Sequence, residues 1–337
     1  MARLLLLGLI GLTGLSKAAS LTAQEPAYMM RVDVGLVSLD VTVMDAQSQP
    51  MTSLLQRDFT VYEDGVEQDI SSFNSFDTPY NILLLFDRSG STEDQWRTMQ
   101  RAASAFVRNL RNQDRVALAA FEDGLMMLSG WSASHSQVDR ALEALLKRGQ
   151  GGGTNLYWSL ERATQREFRD TEGRRAVVVL TDGRDNMLVA QTLATSLPKS
   201  AQNDPGFQHT LAVLREARIP VYFVALNTDR NPADLGNEYY GLQYRFPTSG
   251  AAQAFLTETR KRMEMLADVS GGRVFFPKRV QEIVPVYEQI SRDMSKSYSI
   301  GYISTHGSER GRLHNIEVRV RRNGSKVRQS RESYLVP

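Results

Sequence analysis

Four short, uninterrupted apolar segments constrain the fold of this chain more than any other feature of its sequence. They lie at residues 82–86, 116–121, 176–180 and 221–226, and the stretches between them have helical periodicity. A strand that is a continuous apolar run is typically buried on both faces, as in a parallel sheet covered by helices. Strands that alternate with helices in this way predict a doubly wound α/β domain with a mostly parallel sheet.

Helices are expected near residues 93–110, 137–146, 156–168, 211–217 and 252–267, and a last strand at 273–276 precedes a last helix at 280–294. Two stretches interrupt the alternation, Asp185–Gln208 and Asp229–Gly250. Both are rich in Asn, Asp, Pro, Gly and Ser, which favour turns. We interpret both as long surface loops, and the sequence leaves their role open.

The two ends of the chain have a different period. Apolar residues alternate with polar ones along Val37–Val43 and along Ile316–Val320, as in strands with one buried face. Asp64-Gly65 and Asn323-Gly324 are typical of tight hairpin turns. Since each end is too short for a good core of its own, we predict that together they form one smaller β-sandwich domain. Its halves are predicted at 24–79 and 297–337, with the α/β domain inserted at 80–296.

The N-terminal residues indicate export. Arg3 supplies a positive charge, Leu4–Leu15 is uncharged, and small residues follow at Ala18 and Ala19. An apolar run of about a dozen residues is too short to span a bilayer and has the length of a signal-peptide core. We predict a signal peptide over residues 1–23 and a periplasmic or extracellular protein that does not span the membrane once processed. An uncleaved membrane anchor is the alternative.

Composition narrows the classes of function. The chain has no cysteine, which excludes disulfides, thiolate catalysis and cysteine-ligated zinc. Its net charge of +2 lacks the basic excess of a nucleic-acid-binding protein, so no nucleic acid is expected as a partner.

Three local features are not taken as binding motifs. Gly149–Gly153 lacks the Lys-Ser/Thr ending of a phosphate-binding loop. The basic run Arg319–Arg331 is interpreted as mainly a solvated strand face, with binding to an acidic surface as the alternative. The histidines are scattered and are expected at the surface or hydrogen-bonded rather than on zinc: His135, His209, His306 and His314.

Side chains that carry oxygen gather where the predicted strands end. Asp87, Ser89 and Ser91 follow the first buried strand, in a turn that leads into a helix. Thr154 ends a glycine-rich loop, and Asp182 follows the strand at 176–180. In an open α/β sheet the binding crevice lies at the carboxyl ends of the strands. Three hydroxyls and two carboxylates suit a hard divalent cation, although the Asp-x-Ser-x-Ser string alone is also typical of a turn and helix cap.

These three pieces, in this order, resemble the metal-ion-dependent adhesion site of von Willebrand factor A-type domains, which include integrin I domains. The resemblance covers about residues 80–294, and the flanks Asp58–Gly65 and Tyr298–Tyr302 look like those of bacterial proteins related to this domain, described from Acidobacteria. It implies a Mg²⁺ ion, with Mn²⁺ or Ca²⁺ as alternatives, and its ligands are Asp87, Ser89, Ser91, Thr154 and Asp182. The hydroxyls would bind directly and the carboxylates directly or through water. In adhesion-type relatives a carboxylate of the partner completes the shell.

The leading hypothesis is an exported, non-enzymatic module for adhesion or assembly, whose metal binds an acidic side chain of a partner protein. A metal-assisted hydrolase is the rival class. It requires a general base beyond the ligands, for which the candidates are Glu93, Asp94, Asp123 and Asp185. A third hypothesis is an envelope scaffold with a purely structural metal.

Two further features bear on binding. Trp158 could line the rim of the site or pack on its own helix. Finally, movement of the last helix could couple ligand binding to the β-sandwich.

Overall fold

The computed structural model describes residues 36–335, apart from 48, 76–77, 133, 147–151, 227–245, 279 and 307–310. The predicted signal peptide and most of the predicted loop Asp229–Gly250 therefore lie outside the described residues. The described residues form one compact unit. Among the helices described in that unit, none is long and apolar enough to cross a membrane.

A six-stranded sheet forms the centre of the α/β region, and its strands are numbered along the chain. In spatial order they are β10 (Arg273–Phe275), β9 (Val221–Ala225), β8 (Arg174–Thr181), β5 (Tyr80–Asp87), β6 (Arg115–Phe121) and β7 (Leu125–Ser132). The first five are mutually parallel. Every residue of β5 and β9 is buried, as expected of strands that are covered on both faces. The predicted doubly wound sheet is confirmed.

Strand β7 was not predicted from the sequence. It pairs antiparallel with β6 at the edge of the sheet. Its residues are mostly half-buried, so it has neither a continuous apolar run nor a strict alternation. The sheet is thus mixed, with five parallel strands and one antiparallel edge strand.

Helices cover both faces of this sheet. They are α1 (Trp96–Arg108), α2 (His135–Leu146), α3 (Leu156–Arg162), α4 (Asn186–Thr195), α5 (Pro205–Ala217), α6 (Ser249–Ser270) and α7 (Ile283–Ser295). One core joins the sheet to α1, α2 and α7 and includes Phe106 and Tyr287. A second core on the opposite face joins it to α3, α5 and α6 and includes Phe168 and Phe207. Two separate cores on one sheet are what a doubly wound fold requires.

The interpretation of Asp185–Gln208 as a long surface loop was wrong. This stretch contains the whole of α4 and the first turn of α5. The Asp185 carboxylate accepts a hydrogen bond from the backbone N–H of Met187, and the Asp204 carboxylate accepts one from Phe207. Asp residues therefore begin both helices here, and Pro205 occupies the first helical position of α5. The residues that suggested a loop are helix-capping residues.

The remaining strands form two four-stranded sheets that pack on each other. In chain order they are β1 (Leu36–Met44), β2 (Phe59–Glu63), β3 (Val66–Gln68), β4 (Ile70–Asn74), β11 (Tyr298–Ile303), β12 (Leu313–Val320), β13 (Lys326–Gln329) and β14 (Ser333–Leu335). The sheet orders are β13-β1-β11-β4 and β14-β12-β2-β3. Each sheet thus combines strands from both ends of the chain, and the inner faces of the two sheets share one apolar core. The fold is an α/β domain combined with a smaller β-sandwich, whereas the residue limits of the two domains stay a prediction.

The two predicted hairpins have different outcomes. Asp64-Gly65 joins β2 to β3 with positive φ at both residues, 48° and 82°, so this prediction is confirmed. Asn323-Gly324 does not make a hairpin, because β12 pairs with β2 and β14 while β13 pairs with β1 in the opposite sheet. This turn instead carries the chain from one sheet to the other.

The basic run near the C-terminus is solvated only in part. Arg319, Arg321 and Arg328 are exposed, in agreement with a solvated strand face. The Arg331 side chain is only 9% exposed and lies 3.8 Å from the Asp268 carboxylate. Its burial lowers the pKa of the guanidinium. Arg331 therefore belongs to the contact between the β-sandwich and the end of α6.

A polar network fills the contact between the β-sandwich and the amino ends of the central strands. Asp40 of β1 accepts hydrogen bonds from Ser299 at 2.7 Å and from the hydroxyl of Tyr222 in β9. Arg174, at the start of β8, lies 3.5 Å from Asp40. The guanidinium also donates to the backbone carbonyl of Met294, close to the end of α7. The sandwich is thus fixed to the pole of the sheet that lies opposite the strand carboxyl ends.

Candidate metal site

The predicted site residues lie at the carboxyl ends of two neighbouring parallel strands. Asp87 is the last residue of β5, and Asp182 directly follows β8. The two strands pair in parallel with Phe86 opposite Leu180, so Asp87 and Asp182 lie at the same edge of the sheet. Strand β6 pairs with the other side of β5, and the order of connection reverses there. Such a switch point is where ligands bind in open α/β sheets.

Asp87 is a buried carboxylate. Its Oδ1 accepts a hydrogen bond of 2.9 Å from the backbone N–H of Ser89, and its Oδ2 accepts one from the hydroxyl of Thr181. Burial, and then the charge of Asp182, raise the pKa of Asp87 to about 7. Asp87 and Asp182 are thus two buried acids close enough for the charge of one to raise the pKa of the other. A cation bound between them would be stabilised.

The two serines lie together in the turn that follows Asp87. The Oγ atoms of Ser89 and Ser91 are 3.1 Å apart. The hydroxyl of Thr92 donates to the backbone carbonyls of Asp87 and Ser89, at 2.9 and 3.0 Å, and so fixes the turn. A 3-10 helix of six residues, Gly90–Gln95, then leads into α1. This local structure presents two hydroxyls side by side next to a carboxylate.

Thr154 is buried, and Asn186 fixes its backbone. The side-chain oxygen of Asn186 accepts a hydrogen bond of 2.9 Å from the N–H of Thr154, and the N–H of Asn186 donates to the carbonyl of Thr154 at 2.8 Å. Gly152, two residues earlier, accepts a backbone hydrogen bond of 3.4 Å from Gly90. The glycine-rich loop is thus attached both to the serine turn and to the start of α4.

Two glycines of this loop lie close to neighbouring side chains. A Cβ atom at Gly153 would lie 2.4 Å from the side-chain nitrogen of Asn186, and one at Gly152 would lie 2.6 Å from the carboxylate of Asp123. Neither distance is tolerated between atoms that are not bonded. The glycines therefore allow the loop to approach α4 closely enough to place Thr154.

Asp182 supplies the oxygen that is most available to a cation. Its Oδ1 accepts a hydrogen bond of 3.1 Å from the backbone N–H of Arg184. Its Oδ2 is buried and has no hydrogen bond, although the Nε of Arg184 lies 3.3 Å away, because the two atoms are not aligned for one. A buried carboxylate oxygen without a hydrogen bond is costly unless something binds it.

The donor set therefore fits a hard divalent cation. It contains hydroxyl and carboxylate oxygens only, which Mg²⁺, Mn²⁺ and Ca²⁺ prefer over nitrogen or sulfur. Hydrogen bonds and charge connect Asp87, Ser89, Ser91 and Asp182 directly. Thr154 is joined to them through Gly152 and Asn186.

Sequence reasoning missed three residues that shape the site. Thr181 donates to Asp87 and accepts from the N–H of Gly183, Asn186 positions Thr154, and Arg184 pairs with Asp182. Thr181 and Arg184 flank the Asp182-Gly183 pair in the sequence, which was the available signal. Asn186 had none, since it fell in the stretch interpreted as a loop.

Two candidate bases of the hydrolase hypothesis are held by the backbone. The Asp123 carboxylate accepts from the N–H of Gly153 at 3.2 Å. The Asp185 carboxylate accepts from Met187 and Tyr157, and burial raises its pKa to about 6. The other two candidates, Glu93 and Asp94, have side chains outside the described residues.

The family model of the von Willebrand factor type A domain matches residues 82–184, and this match contains all five predicted ligands. Residues 82–184 of the chain are therefore similar to von Willebrand factor type A domains. Domains of this family often bind a metal. A search of curated proteins finds no match.

Solved structures of low identity resemble the chain. A von Willebrand factor type A protein from Catenulispora acidiphila is 9% identical with a TM-score of 0.47, and the likeness covers 90% of this chain and 75% of that one. An aerotolerance-related membrane protein from Bacteroides fragilis is 17% identical with a TM-score of 0.43, over 64% of this chain and 99% of that one. The domain of a type V pilus tip protein from Porphyromonas gingivalis is 9% identical with a TM-score of 0.42, over 64% and 94%.

Proposed function

We propose that the chain is an exported, non-enzymatic module that binds a partner protein through a divalent cation, Mg²⁺ in the first place. The observation that carries this proposal is the pair of buried carboxylates, Asp87 and Asp182, beside the paired hydroxyls of Ser89 and Ser91. Asp182 keeps one oxygen free of hydrogen bonds. A cation would neutralise both acids and use that oxygen.

Each residue has a distinct part in this proposal. The hydroxyls of Ser89, Ser91 and Thr154 are neutral ligands, and the carboxylates of Asp87 and Asp182 balance the charge. When bound, the ion supplies an electrophilic coordination position that an acidic side chain of a partner can occupy. Thr181 keeps Asp87 in place through its hydrogen bond, and Asn186 does the same for Thr154.

Exposed apolar side chains near the site favour a protein as the ligand. Trp158 of α3 is 48% exposed and lies against the turn at Gly124, with the Arg162 guanidinium 5.6 Å from its ring centre. Met187, next to Asn186, is 60% exposed. Large exposed apolar residues beside a polar centre are typical of protein-binding surfaces. Tyr157, in contrast, is buried against Phe207 and belongs to the core.

A non-enzymatic role is supported by the hydrogen bonds of two candidate bases. Asp123 and Asp185 both accept backbone hydrogen bonds and hold loops or helix ends in place. Export rests on the N-terminal sequence, with its apolar run of signal-peptide length. The periplasm and the cell surface both agree with these features.

Capture of partners from an envelope extract of the source cells, with Mg²⁺ or with EDTA, tests the proposal. The full chain should retain a specific protein in Mg²⁺ and lose it in EDTA. Asp87→Ala should retain none, while Asp170→Ala, which removes an exposed carboxylate before the start of β8, should behave as the parent. Partner capture that survives in Asp87→Ala would overturn the proposal. Mg²⁺ binding without any metal-dependent capture would favour the scaffold with a structural metal.

A further inference from the structure

A second group of metal-ligating side chains lies in the β-sandwich. Glu63 at the end of β2, His306 after β11, and His314 in β12 each direct one ligand atom to a common region, and these atoms are all within 4.8 Å of one another. The imidazole rings of the two histidines stack with their centres 5.4 Å apart. Both histidines are hydrogen-bonded, as the sequence analysis expected, but it did not predict that β-strand pairing brings them together.

Glu63 is the centre of this group. It is fully buried, and its Oε1 lies 3.0 Å from Nδ1 of His306 and 4.0 Å from Nδ1 of His314. Ser304 donates to the same oxygen at 2.6 Å, while the hydroxyls of Tyr302 and Tyr334 donate to Oε2 at 2.6 and 3.0 Å. These hydroxyls fix the orientation of the Glu63 carboxylate. Carboxylates that bind a metal are oriented by hydrogen bonds in the same way.

Hydrogen bonding within the group does not explain one nitrogen of His314. Its side chain is fully buried, and its Nδ1 lies 2.8 Å from the Asp64 carboxylate. That contact favours the proton on Nδ1 and leaves a lone pair on Nε2. The Nε2 atom is buried without a hydrogen-bond partner. A carboxylate that orients one nitrogen of a histidine is the usual support for metal binding by the other nitrogen.

Two carboxylates lie beside the two imidazoles. Glu63 lies 3.0 Å from His306, and Asp64 lies 2.8 Å from His314. Carboxylate oxygen and imidazole nitrogen together form a donor set that divalent transition cations accept.

We propose that Glu63, His306 and His314 form a second metal site, for a borderline transition cation such as Zn²⁺, with water as the fourth ligand. Two nitrogens and one carboxylate oxygen are a common ligand set for zinc, and unlike the site at Asp87 this set contains imidazole. Tetrahedral ligands at about 2.1 Å from the ion lie roughly 3.4 Å apart. The three side chains would therefore have to move closer together to bind the ion. His306, whose side chain is 28% exposed, provides access from solvent.

Zinc binding by the full chain, prepared without a histidine tag and in excess Mg²⁺, tests this site. The excess Mg²⁺ is added to compete for the proposed site at Asp87, and Asp87→Ala reports whether any zinc binds there. The parent chain should bind one Zn²⁺, and Co²⁺ in its place should give the strong visible absorption of a tetrahedral site. His306→Ala should weaken the affinity at least tenfold, since it removes a ligand from the exposed side of the group without opening the buried core.

Two controls separate this site from others on the chain. His209→Ala removes a histidine that is 69% exposed and should leave zinc binding unchanged. Asp87→Ala should abolish Mg²⁺-dependent partner capture but bind zinc as the parent does, so the two proposals can fail independently. Absence of zinc binding in excess Mg²⁺, equal affinity of the parent and His306→Ala, or loss of zinc in Asp87→Ala would each overturn the second site.

Discussion

The two ends of the central sheet both have a carboxylate beside a buried arginine, Asp40 with Arg174 at the amino end and Asp182 with Arg184 at the carboxyl end. At the amino end, Arg174 donates to Ser297, Ser299, Tyr80 and the carbonyl of Met294. At the carboxyl end, Nε and Nη2 of Arg184 and Oδ2 of Asp182 have no hydrogen bonds. A second carboxylate, Asp87, adds to the unbalanced charge there.

This difference separates a structural use of buried charge from a binding use. Buried ion pairs are tolerated when hydrogen bonds satisfy the remaining donors and acceptors, as at Arg174. Where they are left incomplete, the free energy of folding is less favourable, and a ligand that completes them binds more tightly. The amino end therefore fixes the β-sandwich to the sheet, and the carboxyl end is the part that we expect to bind an ion.

The largest effect is expected from Arg174→Met at the amino end. The substitution leaves Asp40 buried without its cation, which should lower the free energy of unfolding by about 3 to 5 kcal/mol. Urea unfolding measures this loss, and Arg175→Met, at the neighbouring half-buried arginine, serves as the matched control. Mg²⁺ affinity should be unchanged. A loss of less than about 1 kcal/mol, the value of an exposed ion pair, would contradict the role of Arg174.

The next effect concerns the pH dependence of stability at the carboxyl end. The pKa of Asp87 is raised from 3.8 to about 7 in the folded state. Between about pH 4 and pH 7 the folded chain therefore holds a proton that the unfolded chain has lost, and metal-free stability should fall as pH rises through this range. The fall attributable to Asp87 is at most about 4 kcal/mol, from about three units at 1.36 kcal/mol each.

Unfolding of the metal-free chain at several pH values, beside Asp87→Asn, isolates this contribution. The variant has no carboxyl to titrate, so its stability should fall less over the same range. Saturating Mg²⁺ should stabilise the parent more at pH 7 than at pH 5, because the ion competes with the proton. If the free energy of unfolding changes with pH by the same amount in parent and variant, Asp87 does not titrate as we describe.

A smaller effect is expected from Gly153→Ala. The added Cβ would meet the side-chain nitrogen of Asn186 at 2.4 Å, so Asn186 must move and Thr154 with it. We expect Mg²⁺ affinity to fall about tenfold, which is about 1.4 kcal/mol. Gly130→Ala is the matched control, because a Cβ there has no atom within 4 Å. Equal Mg²⁺ affinity in both variants would show that the loop does not position a ligand.

The parts of the fold that the sequence predicted are those governed by local periodicity. Residues 82–86 and 176–180 are apolar throughout because helices cover both faces of β5 and β8, and this pattern is visible without tertiary structure. The edge strand β7 was missed because half-buried positions disturb its pattern. Asp185 and Asp204 misled the prediction because the residues that cap helices are the same ones that favour turns.

The sequence predicted those residues of the candidate site that come directly after the end of a strand. Asp87, Ser89 and Ser91 share one turn, so their spacing alone showed that their oxygens could converge. Asn186 acts on Thr154 from a different helix, and this contact depends on how α4 packs. Glu63, His306 and His314 are brought together by strand register in the sandwich, which cannot be obtained from one sequence. Contacts between elements are thus what sequence reasoning lacked.

Calorimetric titration of the full chain with Mg²⁺ tests the difference between the two ends of the sheet most directly. We predict one Mg²⁺ per chain for the parent, the same for Asp170→Ala and Arg174→Met, and none for Asp87→Ala. Mg²⁺ that binds Asp87→Ala with the stoichiometry and affinity of the parent would contradict the account, as would a parent chain that binds no Mg²⁺ at all.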